Sequence, residues 1–239
     1  FSVGKPDTTG HVEVLQGNPD LKPEQNITVD GGMRIGLKSS GITLGFGFYR
    51  SVVENYSDYD YLSVPEGMTA VHNGVTYPVS SIKTYKNNDD LTTMAGLEWD
   101  FEWNILSLFK REEKLTLSTN GHAVLISEAI KGNEKSRIKN VRNPNFSVGL
   151  TYDDNRFLSA RLATRYSGEQ TDTDWTANTY PYPDIVYPSF LITDFSIRTR
   201  ISEHHSIGGQ ISSMTDEYYY YKRGFNLPGR SFGLEYELS

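Results

Sequence analysis

Apolar and polar residues alternate along several stretches of this chain, which is the pattern of a β-strand with one apolar and one polar face. In the last stretch, Phe232, Leu234, Tyr236 and Leu238 alternate with serine, glycine and two glutamates. Comparable alternation recurs along the chain, so the sequence predicts an all-β, antiparallel fold of about nine strands. The predicted strands lie at 27–37, 42–48, 91–103, 115–125, 146–152, 158–166, 191–201, 207–211 and 231–238.

The strand predicted at 91–103 is long enough to cross a lipid bilayer. Its alternation exceeds the strand of about 5 to 6 residues that is usual in soluble proteins. It fits the roughly 9 to 11 residues that a tilted strand needs to cross a membrane, with flanking residues to spare. The sequence contains no run of about 18 apolar residues, so it predicts no transmembrane helix.

The connections between the predicted strands alternate between short and long. Short turns are predicted near 39–41, 104–113, 153–156 and 202–205, and long polar loops at 53–80, 128–143, 167–187 and 216–228. Outer-membrane barrels show this asymmetry, with short periplasmic turns and longer extracellular loops. The pattern therefore favours part of an antiparallel transmembrane β-barrel.

Charged residues fall on the face opposite the apolar rows. A transmembrane barrel turns this face towards a wet lumen, whereas a soluble β-sandwich turns it outwards, and alternation alone does not distinguish the two. Strand length and loop asymmetry favour the barrel. The residues predicted to face the lumen or a plug are Arg34, Glu98, Asp100, Glu102, Arg161, Arg165, Arg198 and Arg200. Pairing between their acidic and basic members is expected in such an interior.

Composition excludes several classes of function. The 239 residues carry a formal net charge of −7, and an acidic chain is a poor nucleic-acid binder. No cysteine is present, which excludes disulfides and thiolate metal sites. No catalytic motif or metal-ligand spacing stands out, and no cofactor is predicted. The chain begins at Phe1 without a signal-peptide pattern, so we expect it to be a piece of a longer protein or a mature segment with its front removed.

Three stretches resemble the TonB-dependent receptors of Gram-negative outer membranes. Residues 17–24 (GNPDLKPE) are similar to the box that opens a mid-barrel strand in that family, and Ala95 to Trp99 resemble its G-x-E strand. Residues 214–218, the Pro-Gly-Arg at 228–230 and the closing strand are similar to the end of the family's barrel. The chain departs from the pattern at Leu238-Ser239, where many outer-membrane proteins end in an aromatic residue.

The resemblance implies that residues 1–239 are the C-terminal portion of a receptor barrel, without the plug domain and the earlier strands. The whole receptor is then expected to import a scarce nutrient, most simply a ferric siderophore or similar metal chelate, and not to be an enzyme. Its expected location is the outer membrane. Its expected partners are the lipid bilayer and lipopolysaccharide, the plug domain of the parent chain, TonB through that plug, and the small-molecule chelate.

Aromatic residues of the predicted long loops are the candidates for substrate contact, because tyrosine and tryptophan give large contact area at low entropy cost. Lipid-interface girdles also use these residue types, so the same side chains have an alternative role. The candidates are Tyr59, Tyr61, His72, Tyr77, Trp175, Tyr180, Tyr182 and Tyr187.

Other functions stay open at the level of sequence. His11 precedes the box at 17–24, as an iron-ligating histidine does in haem receptors of the family, although the further upstream box of those receptors is not recognisable. A cobalamin receptor is a further alternative. An outer-membrane barrel enzyme would have to use His122, beside Ser118 and Asn120, and a soluble β-sheet binding module is the third class. The sequence does not name the substrate.

Overall fold

The computed structural model describes residues 1–87, 91–109, 111–131, 134–179 and 181–238. They form sixteen strands and one short 3-10 helix, Ile105–Phe109. In chain order the strands are β1 Ser2–Val3, β2 Val12–Gln16, β3 Gln25–Leu37, β4 Ile42–Glu54, β5 Ser57–Leu62, β6 Thr69–His72, β7 Val75–Asn87, β8 Leu91–Asn104, β9 Lys114–Lys131, β10 Glu134–Arg137, β11 Asn143–Asp153, β12 Leu158–Thr173, β13 Asp184–Tyr187, β14 Phe190–Arg200, β15 His205–Ser212 and β16 Ser231–Leu238.

Nine of these strands form the path of one large sheet, in the order β16-β15-β14-β12-β11-β9-β8-β4-β3, with β10 and β13 paired at its side. Among the described residues they are the nine strands that the alternation predicts. Each neighbour on this path is the next strand of the path along the chain, as in a meander. The registers of β9, β11, β12, β14, β15 and β16 are antiparallel.

Register places the apolar residues of successive strands on one face of the large sheet. Leu150 lies opposite Leu162, Leu162 opposite Phe195, and Ile207 opposite Tyr236. No other layer of the described residues covers these side chains: Leu150 is 41% exposed, Leu162 42% and Tyr236 59%. A face this apolar and this uncovered is unusual for a sheet in water and is the pattern expected of a lipid-facing wall.

A second sheet of five strands lies within residues 1–28 and 51–93, part of one compact unit of the chain. Its order is β1-β2-β7-β5, with β6 also paired to β7, and β2 runs parallel to β7. Most of the buried apolar residues of the described chain belong to it. They are Val12, Val14, Ala70, Val79 and Ile82.

This small sheet differs from the sequence expectation of a long irregular loop over 53–80. Strands β5 and β6 and the first half of β7 fall in that range. Strand β5, with the sequence SDYDYL, pairs at the edge of the sheet, and its aspartates alternate with tyrosines, which carry a polar hydroxyl, instead of with aliphatic residues. Its stability comes from the core of Val12 and Ile82 on strands far apart in sequence, which local periodicity does not show.

The second compact unit comprises residues 29–50, 94–127 and 138–239, and its strand connections fall into two groups. The short turns meet at one rim: the amide of Asn104 donates to the carbonyl of Gly41, Arg156 pairs with Glu112, and the amide of Arg200 donates to the carbonyl of Phe157. We call this edge the short-turn rim. It confirms the predicted grouping of the short turns.

The long connections of the same unit contact one another. Lys139 pairs with Asp184, Lys222 with Asp172 and Arg223 with Asp174. We call this edge, formed by 138–142, 174–179, 181–190 and 213–230, the long-connection rim. No helix in the described part of the chain has the length and apolar character that crossing a membrane requires.

Candidate functional site

The face of the large sheet opposite the apolar one carries the charges predicted to face a lumen. Three ion-pair groups lie on it: Arg34 with Asp100 at 3.2 Å, Arg165 with Asp194 at 3.1 Å, and Arg198 with Glu237 at 2.7 Å and Glu235 at 3.4 Å. All are partly exposed, and exposed pairs of this kind contribute at most about 1 kcal/mol each. These ion pairs therefore position the side chains of the polar face but add little to the stability of the sheet.

The expected pairing between the acidic residues of β8 and the arginines of β12 and β14 is not what the described residues show. Strands β8 and β12 are three places apart in the sheet, or about 14 Å at 4.8 Å per strand, which is too far for contact. Each paired arginine instead uses a nearer carboxylate. Among the ion pairs of the described residues, Glu98, Glu102, Arg161 and Arg200 take no part.

Two of these ion pairs reach across an intervening strand, and a glycine lies beneath each. Arg34 on β3 meets Asp100 on β8 over Gly45 of β4, where a Cβ would collide with the Asp100 carboxylate. Arg198 on β14 meets Glu235 on β16 over Gly208 of β15, where a Cβ would lie 3.6 Å from Glu235 Oε2. The glycines leave the space through which the long side chains meet.

The candidate residues of the small sheet divide between its two faces. Tyr59 and Tyr61 of β5 lie opposite Tyr85 and Lys83 of β7, so the four share one face. The Tyr59 and Tyr85 rings lie 4.6 Å apart, the Tyr85 hydroxyl donates to the Tyr59 hydroxyl at 2.8 Å, and Lys83 Nζ lies 3.7 Å from the Tyr59 ring centroid. The hydrogen bond to Tyr59 raises the pKa of Tyr85. We call these four residues the tyrosine-lysine patch.

Two other candidates in the small sheet have structural contacts. Tyr77 packs against the Val12 core from the side of β6 and β7. His72 Nδ1 lies 3.3 Å from the carbonyl oxygen of Val3. Neither residue belongs to the tyrosine-lysine patch.

At the long-connection rim, Trp175 and Tyr182 lie with their ring centroids 5.4 Å apart, and Trp175 is 72% exposed. Tyr187 is only 6% exposed and packs edge-on against Tyr220 at 6.0 Å. Tyr180 lies outside the described residues. Trp175 and Tyr182 are therefore exposed at this rim, and Tyr187 is used in packing.

The most connected side chain at this rim is Arg142, immediately before β11. Its guanidinium donates to main-chain carbonyls of Gly168, Pro188 and Tyr220, and its centre lies 5.0 Å from the Phe190 ring centroid. Burial lowers the pKa of Arg142. Beside it, Phe190 and Tyr221 line a cavity of about 290 Å³ on the polar face, together with Ile192, His122 and Arg165.

The box at 17–24 fastens the small sheet to the start of β3. Asn18 Nδ2 donates to the carbonyl of Tyr85 at 2.9 Å, and the amide of Lys22 donates to Asn87 Oδ1 at 2.6 Å. Glu24 Oε1 accepts from the amide of Ser57 at 2.8 Å. The polar groups of this box therefore bind other parts of the chain, because main-chain groups at the ends of strands need hydrogen-bond partners.

The described contacts of His122 and His11 are with polar side chains. His122 Nε2 lies 3.2 Å from the side-chain amide nitrogen Nδ2 of Asn145, and His11 Nδ1 lies 3.0 Å from the hydroxyl of Thr9. No group of three or more histidine, aspartate or glutamate side chains among the described residues could hold a metal ion. The role of His11 in haem binding stays a prediction.

Acid should release one contact of the long-connection rim. Asp174 accepts from the Thr176 hydroxyl at 2.6 Å and pairs with Arg223 at 3.3 Å. The Thr176 hydrogen bonds, and less strongly Arg223, hold the pKa of Asp174 below its ordinary value. A depressed pKa contributes stability that is complete above about pH 4 and is lost as pH falls through the lower value.

We therefore expect the fluorescence of Trp175, in a variant whose other two tryptophans are phenylalanine, to stay constant from pH 7 to about 4 and to change below it. Asp174→Asn should remove that acid transition, because the amide does not titrate. If Asp174→Asn still shows the acid transition at the same midpoint pH, another titrating group causes the fluorescence change.

These surfaces, an uncovered apolar face, a charged opposite face and one rim of packed long connections, define the wall of a β-barrel. The family model for the TonB-dependent receptor-like β-barrel matches residues 2–212. The chain belongs to the TonB-dependent receptors, as the residues at 17–24 predict.

Solved structures of similar fold include several receptors for iron chelates. The siderophore receptor PirA from Acinetobacter baumannii matches with a TM-score of 0.69 and 14% identity, over 95% of this chain and 33% of that one. The ferric enterobactin receptor PfeA from Pseudomonas aeruginosa, in complex with enterobactin, matches with a TM-score of 0.67, 15% identity and the same coverage. The pyoverdine receptor FpvA from Pseudomonas aeruginosa matches at 0.65 and 13%, over 92% and 30%. The chain thus spans about a third of these proteins, and identity this low establishes the shared fold alone.

The structure also adds residues that the sequence did not single out. Lys83 and Tyr85 alternate with buried Ile82 and Thr84, so a two-residue periodicity over 82–85 was available as a signal. Arg142 lies in a charged, irregular stretch with no periodicity, and only its three-dimensional contacts distinguish it from its neighbours.

Proposed function

We propose that this chain forms part of the outer-membrane barrel of a receptor that imports a ferric siderophore or a similar metal chelate with energy delivered by TonB. The observation that carries the membrane location is the apolar face of the large sheet, which has no covering protein layer among the described residues. The siderophore class is supported by the receptors of similar fold. In this role the protein binds and conducts its substrate and catalyses no reaction.

The polar face supports contact with a plug domain of the parent chain. Its ion pairs are exposed, and Glu98, Glu102, Arg161 and Arg200 form no ion pair with other described residues. Charges of both signs that face a wet lumen can pair with a domain that fills it through many weak contacts. Contact with TonB then runs through that domain, and lipopolysaccharide surrounds the long-connection rim.

The first test is isolation of the full-length parent from outer membranes, followed by a heat-modifiability gel and analysis of bound metal and small molecules. A heat-shifted band that binds ferric enterobactin or ferric pyoverdine supports the proposal. A water-soluble protein without a heat shift would overturn the membrane assignment. A heat-shifted barrel that binds neither chelate would retain the location and reject the substrate class.

The tyrosine-lysine patch is the proposed contact for an anionic chelate, because it joins aromatic area to a cation. Lys83→Ala should raise the Kd for the bound ferric chelate about 5-fold, since an exposed contact between opposite charges contributes up to about 1 kcal/mol. Equilibrium binding of the radiolabelled chelate measures this.

Lys86→Ala is the matched control for that measurement. Lys86 lies on the same strand, on the opposite face, and pairs with Asp60 at 2.9 Å. Its removal should leave the Kd unchanged. If the two variants change the Kd equally, or if Lys83→Ala does not change it, the tyrosine-lysine patch does not contact the chelate.

A further inference from the structure

Arg142 joins three parts of the chain that are far apart in sequence. Nη1 donates to the carbonyl of Gly168 at 2.8 Å and to that of Pro188 at 3.0 Å. Nη2 donates to the carbonyls of Tyr220 at 3.2 Å and Tyr221 at 3.5 Å. These acceptors belong to β12, to the segment before β14 and to the connection 213–230. One side chain therefore fixes the positions of two long connections against the sheet.

The same guanidinium is covered by aromatic rings. Its centre lies 5.0 Å from the ring centroid of Phe190 and 5.5 Å from that of Tyr221. The two rings lie 5.5 Å apart, and Phe190 also packs against Tyr219 at 4.9 Å. A planar guanidinium can donate in its plane and stack on its faces at once, which a lysine ammonium cannot do.

The partners of Arg142 are neutral. They are main-chain carbonyls and ring faces, and none of the ion pairs among the described residues includes Arg142. Its Nε is buried without a hydrogen-bond partner. Arginine stays protonated in such surroundings, so the rim holds a positive charge that pairs with no acidic side chain of the described residues.

The rings that Arg142 holds form one wall of the cavity on the polar face. Phe190 and Ile192 are buried, at 6% and 5% exposure, and Tyr221 lies beside them. His122, Asn145 and Arg165 supply hydrogen-bonding groups to the same cavity of about 290 Å³. Aromatic walls with a few polar groups are characteristic of ligand sites.

We infer that Arg142 is a positioning residue of the receptor: it holds the connection 213–230 in place so that Tyr221 and Phe190 form the aromatic wall that a metal chelate contacts. The inference rests on the proposed uptake function. Arg142 itself does not touch the chelate, because carbonyls accept from its two Nη groups, rings cover its faces and its Nε is buried. Its removal acts by loosening the connection.

The test uses the full-length receptor in its assembled form, with Arg142→Gln, Arg142→Lys and Arg156→Gln compared with the wild type. Arg156 is an exposed arginine at the short-turn rim, so Arg156→Gln controls for loss of one positive charge away from the cavity. Amide hydrogen exchange of 213–230 is measured without ligand. Equilibrium binding is measured with ferric enterobactin and ferric pyoverdine.

Arg142→Gln should exchange amides in 213–230 about ten-fold faster, because the connection loses the bonds that hold it closed. It should also raise the chelate Kd about ten-fold, with the number of sites and the heat-shifted band unchanged. Arg142→Lys should keep the charge and recover only part of both effects, and Arg156→Gln should show neither.

Unchanged exchange in Arg142→Gln, or faster exchange with unchanged Kd, would overturn the inference. So would full recovery by lysine, which would show that charge alone matters. If the wild type binds neither chelate, the proposed substrate class fails, and the exchange rates alone then decide whether Arg142 positions the connection.

Discussion

Leu97→Arg should prevent assembly of the full-length receptor into the outer membrane. Leu97 lies on the uncovered apolar face of β8 and is 43% exposed there. An arginine on the lipid-facing side of a barrel costs about 2 to 4 kcal/mol at the middle of the bilayer. That is a large part of the 5 to 15 kcal/mol of stability typical of a folded protein. The heat-shifted band in the membrane fraction should decrease or disappear.

Two controls separate lipid contact from packing and from charge. Leu97→Ala shortens the same side chain without adding charge and should assemble. Gln210→Arg adds the same charge on the polar face, where Gln210 lies opposite Ser196 and Gly233, and should also assemble. Normal assembly of Leu97→Arg would mean that this face meets water or protein, and the lipid-facing assignment would be lost.

Gly121→Val should destabilise the barrel by about 1 to 3 kcal/mol, the usual cost of overpacking. Gly121 lies on β9 opposite Phe146 of β11, and Trp99 of β8 covers it from the other side. A Cβ at this position would lie 2.5 Å from Trp99 Cζ2, 2.6 Å from Phe146 Cβ and 2.7 Å from the carbonyl oxygen of Asn145. One of those neighbours is backbone, so the clash is not removed by turning a side chain.

Gly36→Val is the matched control, since an ideal Cβ there meets no atom within 4 Å. Valine favours strands over glycine, so this variant should be neutral or slightly more stable. Urea unfolding in detergent, followed by tryptophan fluorescence, measures both. Equal stability of the two variants would show that Trp99 does not pack over Gly121 in the assembled protein.

The nine strands of the large sheet could be predicted because the two faces of each strand lie in different environments, one apolar and one polar. Apolar and polar residues therefore alternate along 91–103 and 146–152. The short turns at 39–41 and 153–156 mark where one strand ends and the next begins. Strands that are consecutive in the chain pair antiparallel with each other, so the strand order of the sheet follows from the order of the strands in the sequence. The register follows from keeping Leu150 and Leu162 on one face.

The small sheet could not be predicted in the same way. Strand β2 pairs in parallel with β7 across some 60 residues of sequence, and this pairing depends on a core that no single segment encodes. Strand β5 carries its polar residues at the sheet edge, where alternation gives little benefit. Sequence periodicity reports local environment, so strands stabilised by distant partners escape it.

The candidate contact residues were predicted by type and not by position. Tyrosines and tryptophan in connections include exposed ones, such as Trp175, and buried ones, such as Tyr187, and composition does not separate them. Lys83 gains its place only through the ring of Tyr59, which follows from the pairing of β5 with β7. The contacts of Arg142 likewise require the three-dimensional arrangement of 168, 188 and 220–221.

The ion pairs that cross a glycine have a mechanical consequence. Arg34 with Asp100 and Arg198 with Glu235 each link two strands that share no backbone hydrogen bonds, over the strand between them. Sliding the middle strand along its axis would bring a larger side chain beneath the bridge, Ser206 or Gln210 on β15 and, in one direction only, Thr43 on β4. Each bridge therefore resists shear of a three-strand group, and resistance of this kind matters most when force acts along the strands.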